Sequence, residues 1–111
     1  MESTIEKIGN VTVFTVQVES LDAKTAVDFR EEFHSAVDAD AQVLLDLCDV
    51  DFIDSSGLGA IVAELKSLRA SEGDLKICEV KKSVSVLFEL VRMHKLVEIY
   101  NSREEALESF A

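Results

Sequence analysis

The stretch VLLDLCDVDFIDSSGLGAIV, Val43–Val62, joins a nearly continuous apolar run to an acidic cluster and then to Ser55, Ser56 and Gly57, where the hydrophobic spacing changes. The run QVLLDLCDV has the pattern of a strand covered on both faces, as in a parallel sheet. From Ser56 to about Ser71, Leu58, Ile61, Val62, Leu65 and Leu68 recur at helical spacing, with Glu64, Lys66 and Arg69 on the other face. The stretch therefore reads as a strand that delivers the chain into a helix, with two of the four glycines at the junction. In open α/β sheets such a junction, at the carboxyl end of a strand, borders the functional crevice.

Outward from this centre the same alternation continues. VTVFTVQV, residues 11–18, is rich in β-branched types and alternates like a strand, and STIEKIG before it pairs with it across a turn near Gly9 and Asn10. LDAKTAVDFREEFHSAVD changes to helical spacing, with Ala26, Phe29, Phe33 and Val37 on one face, Asp22 as N-cap and Leu21 as the staple toward Ala26. Beyond the central helix, DLKICEV predicts a strand and SVSVLFELVRMHK a helix with Val84, Leu87, Leu90 and Val91 inward. VEIY completes the sheet, and Ser102 with Glu105 opens a short terminal helix. The order β-β-α-β-α-β-α-β-α predicts one α/β domain over residues 1–111, with about five strands and four helices. Its mostly parallel central sheet carries an antiparallel N-terminal edge strand.

Apolar residues make up 48% and charged residues 30%, the balance of a globular chain, and no apolar run approaches the ~20 residues that span a bilayer. The start, MESTIEKIGN, lacks the basic and apolar regions of a secretory leader, so a cytoplasmic location is expected. Cys48 and Cys78 lie in apolar runs and read as small buried thiols with no metal role. A net charge of −11 repels nucleic acid and anionic membranes and favours protein partners with a basic face.

At the junction, the positive end of the helix dipole would support a phosphoryl group on Ser56. Ser55 and Ser56 are equally ordinary N-cap residues, an account that needs no chemistry. Gly57 and Gly59 leave the first turn bare on either side of Leu58, at about 0.5–1 kcal/mol each against alanine, which implies close approach by another molecule. A hydrolytic serine is disfavoured because the G-x-S-x-G elbow is absent and His34 and His94 read as surface residues. A magnesium phosphoaspartate site built on Asp46, Asp49, Asp51 and Asp54 lacks its acidic pair and late lysine, so these read as solvated strand-end residues.

DFIDSSGLGAIV, with VLLDLCDV before it and LKICEV and SREEAL after it, resembles the anti-sigma factor antagonist family, or STAS domain, from about Ser3 to Phe110. The resemblance implies a non-enzymatic partner switch without cofactor or metal. On this resemblance the unphosphorylated protein would bind an anti-sigma serine kinase, which would bring the ATP; phosphorylation of Ser56 would release it, and a serine phosphatase would reset it. Asp22, Asp54, Ser55, Gly57, Leu58 and Gly59 are then implied as the partner-binding set. A STAS scaffold, or an accessory of a transporter or lipid-trafficking complex, is the alternative. Two departures bear on kinase choice: Glu19 and Ser20 stand where the family pattern carries a glycine, and RMHKL replaces a Ser-Gly-Leu type turn, with His94 near the glycine position.

Overall fold

The computed structural model describes residues 1–110. The chain forms β1 (Ser3–Ile8), β2 (Val11–Val16), β3 (Ser20–Leu21), α1 (Ala23–Ala36), β4 (Gln42–Asp46), β5 (Phe52–Ile53), α2 (Ser55–Ala70), β6 (Asp74–Cys78), α3 (Lys82–Leu90), β7 (Ile99–Tyr100) and α4 (Arg103–Ser109), with a 3-10 turn at Met93–Lys95. Five strands make one sheet in the order β1-β2-β4-β6-β7. Only β1 runs antiparallel, joined to β2 by the turn in which Gly9 takes φ +62°. The two-residue strands β3 and β5 pair parallel with each other apart from that sheet.

Helices cover both faces of the sheet, which accounts for the burial of all six residues of β2 where alternation alone would leave one face wet. On one side Phe14, Phe29 and Phe33 pack as an aromatic cluster, Phe14 and Phe29 edge-on at 5.6 Å, and Ile61, Leu65, Val84 and Phe88 extend it beneath α1, α2 and α3. On the other, Ala106 of α4 covers Val11, Val13, Leu44 and Cys78. Arg103 fastens α4 to the sheet through Asp46 (2.9 Å), Glu6 (2.7 Å) and Thr15 (3.2 Å). Asp46 is thus buried and paired rather than solvated.

Three further expectations are corrected. The third helix stops at Leu90, because Arg92 turns left-handed at φ 56°, and Leu90 and Val91 are exposed while Phe88 and Met93 fill the core. Cys48 lies past the end of β4 and is exposed, whereas Cys78 is buried as expected. Loss of solvent around each thiol, reinforced by Asp46, raises Cys48 to about 11 and Cys78 to about 12, so both stay protonated and weakly nucleophilic at neutral pH. Glu64, expected on the solvent face of α2, is buried against α1.

Candidate functional site

The ribbon of β3 and β5 organises the site. Ser20 is in register with Phe52 and Leu21 with Ile53, so Asp22 and Asp54, the next residues on each strand, lie side by side and each caps a helix. The Asp54 amide donates to the Leu21 carbonyl at 3.2 Å, and the Asp51 and Phe52 amides both donate to the Glu19 carbonyl. Two helices thus begin at neighbouring points and run in the same direction.

Asp22 closes a capping box: its carboxylate accepts from the Lys24 and Thr25 amides at 3.0 and 3.1 Å, and Thr25 Oγ1 accepts from the Asp22 amide at 2.9 Å. The Thr25 amide bond above all, with some opposition from burial, holds the Asp22 carboxyl below its ordinary 3.8. At α2 the Asp54 carboxylate accepts from the Gly57 amide at 3.0 Å. Since Asp54 is the cap, neither Ser55 nor Ser56 is needed for that purpose, and the capping account of the two serines falls. They are the first two residues of the helix, both exposed, and their amides have no acceptor among the described residues.

The glycines divide. A Cβ on Gly57 would sit inside contact distance of the Leu21 carbonyl oxygen and 2.9 Å from Ile53 Cγ2. Gly57 is buried and clears space for the protein's own ribbon, not for a partner, which corrects the reading of both glycines as openings for another molecule. A Cβ on Gly59 would meet nothing within 4 Å. Leu58 between them is half-buried and packed against the core, while Phe52 stands 54% exposed beside the ribbon. Asp51 ties this corner to α3, accepting from Lys81 Nζ through its carboxylate and from Ser83 Oγ through its carbonyl, each at 2.7 Å.

The site thus brings Asp22, Asp54, Ser55, Ser56, Leu58 and Gly59 to one end of the molecule and makes Gly57 part of its frame. Sequence reasoning missed the two-residue strands that place Asp22 beside Asp54, being too short to carry a periodic signal, and the Lys81–Asp51 pair, which joins residues far apart in the chain. Of the four aspartates weighed as a phosphoaspartate centre, Asp46 is held by Arg103, Asp51 by Lys81, and Asp54 caps α2.

A family model for the STAS domain matches residues 2–106. BtrV of Bordetella bronchiseptica, whose name places it among anti-sigma factor antagonists, is 32% identical over 111 residues, covering 99% of this chain and 95% of that protein. The anti-sigma-B factor antagonist of Listeria monocytogenes is 33% identical over 86 residues, covering 77% of this chain and 75% of its own. Among solved structures, SpoIIAA in its unphosphorylated form superposes with a TM-score of 0.78 at 19% identity, covering 98% of this chain and 96% of that one, a likeness of fold.

Proposed function

The chain belongs to the STAS domain family, and from that premise we propose that it is an anti-sigma factor antagonist working as a partner switch. Its unphosphorylated form binds an anti-sigma serine kinase through the end of the molecule that carries the two capped helices. The kinase, which brings the ATP, phosphorylates Ser56; the complex then dissociates, and a serine phosphatase restores the starting state. Asp22, Asp54, Ser55, Leu58 and Gly59 make the contact surface, Gly57 shapes it from within, and the protein itself catalyses nothing. No described helix is long and apolar enough to cross a membrane, which suits a regulator that works in the cytoplasm.

One observation carries this reading: Ser56 is exposed on the first turn of α2 while Asp54 has taken over the capping. A hydroxyl with no structural task, at the positive end of a 16-residue helix, can accept a phosphoryl group without cost to the fold. Phosphorylation adds about −1.5 to −2 charge at pH 7 next to Asp54, which opposes a docked surface by repulsion and desolvation while the helix dipole accommodates it locally. Incubation with a co-encoded anti-sigma type kinase and ATP should add ~80 Da, one phosphoryl group replacing a proton, and Ser56→Ala should abolish the gain. Persistence of the gain in that variant would move the switch to another residue; absence of any gain in the wild type would remove it.

A further inference from the structure

Glu64 is a carboxylate on the inner side of α2 with only 2% of its side chain exposed. Both of its contacts come from α1 and converge on one oxygen: His34 Nε2 lies 2.7 Å and Arg30 Nε 3.5 Å from Oε1. Stability does not account for this residue. An ion pair taken out of water repays its desolvation poorly, and an apolar side chain of similar size is commonly as stable or more so. Leu65 and Leu68 close by show that the interface accepts leucine.

The position of the contact accounts for it better. Glu64 is ten residues past its N-cap Asp54, and Arg30 and His34 are eight and twelve past the N-cap Asp22, so the clasp closes level across two helices that start level. It lies roughly 15 Å from the ribbon, at about 1.5 Å of rise per residue. A cavity of about 180 Å3, bordered by Phe33, Val37, Glu64 and Leu68, opens beside the clasp at this end of the interface. The ribbon and the clasp tie α2 to α1 at two points, and with its inner face of Ala60, Ile61, Leu65 and Leu68 packed on the core these contacts together fix the roll of α2. Ser56 and Glu64, eight residues apart, project about 80° from one another around the axis.

We propose that Glu64 is a positioning residue for the switch: gripped by His34 and Arg30, it sets the roll of α2 on α1 and with it the direction in which Ser56 leaves the helix. This rests on the partner-switch reading for its consequence, though not for its geometry. The test uses the full chain with Glu64→Leu and Glu64→Gln. Arg30 and His34 are both about half exposed, so the leucine variant strands no buried cation. Glu64→Leu should keep or raise the thermal midpoint, shift the amide resonances of Gly57 and Thr25, and weaken binding to the co-encoded kinase by about tenfold, within the range over which separate sites couple. Glu64→Gln, whose amide oxygen still accepts from His34, should stay within about twofold of the wild type. Wild-type resonances at Gly57 and Thr25 in the leucine variant would overturn the proposal. So would a fall in its midpoint that accounts for the lost binding. If the wild type itself binds no kinase, the partner-switch reading fails, and the resonances alone decide whether Glu64 sets the helix.

Discussion

The N-termini of α1 and α2 leave the same parallel ribbon in adjacent register, each with an aspartate cap, yet they are finished differently. At α1 the cap is reciprocal: Asp22 takes two amides and Thr25 returns a bond to the Asp22 amide, so the terminus is closed. At α2 a single side-chain bond runs from the Gly57 amide to Asp54, and the two serines ahead of it are exposed. One terminus has its hydrogen bonds made internally; the other leaves two serine amides without an acceptor among the described residues and two hydroxyls exposed. The same cap residue at the same depth thus closes the first turn of one helix and leaves that of the other exposed, and the difference lies in the three residues that follow it.

Substitutions at the two ends put that contrast to the test. The largest effect is expected from Gly57→Ala, whose methyl group meets the Leu21 carbonyl and cannot be relieved by a rotamer change. It should cost about 3 kcal/mol, the upper end of ordinary overpacking, in chemical unfolding. Ser56→Asp should keep the wild-type circular dichroism spectrum but weaken kinase binding by about 100-fold in calorimetry, since like charges juxtaposed at an interface cost several kcal/mol. Equal affinity would leave the charge argument without support.

Two smaller effects separate the termini further. Asp54→Ala should lower stability by about 1 kcal/mol through loss of the cap. Gly59→Ala should instead raise it by about 0.5–1 kcal/mol, because its Cβ points into open space, while kinase affinity declines. The smallest effect concerns acid. The Thr25 amide, first, and then the Lys24 amide hold the Asp22 carboxyl below 3.8. A carboxyl with a depressed folded pKa stabilises the fold in full above its unfolded value and loses that contribution as pH falls through the folded one. The gap in thermal midpoint between the wild type and Asp22→Ala should therefore be full well above pH 3.8 and narrow progressively as pH falls below it.

Much of the site was legible in the sequence, because capping and strand-to-helix junctions are written in short local patterns. The Leu21–Ala26 staple and the helical spacing mark Asp22 as a cap, and the change in spacing marks Ser55 to Gly57 as a junction. The errors fell where local pattern and long-range contact disagree. Glu64 looked solvated because a charge on a helix usually is, and only the approach of Arg30 and His34 makes burial tolerable. Leu90 lies off the face of α3 that Val84 and Phe88 bury, and Val91 falls at the helix end just before the left-handed turn at Arg92, so both are exposed. Cys48 belonged to an apolar run whose strand ends two residues earlier, at Asp46.

By itself, the sequence determined the layered α/β order, the mostly parallel sheet, the family, and the junction at which Ser56 stands, since periodicity, capping residues and motif are properties of neighbours in the chain. Only the tertiary structure decided what each junction residue is for. The Leu21 carbonyl, 36 positions before Gly57, turns one glycine into packing and leaves the other open. The ribbon of β3 and β5 hands the capping to Asp54 and frees the serines. Both outcomes depend on atoms brought within contact distance by the fold, which no local pattern encodes.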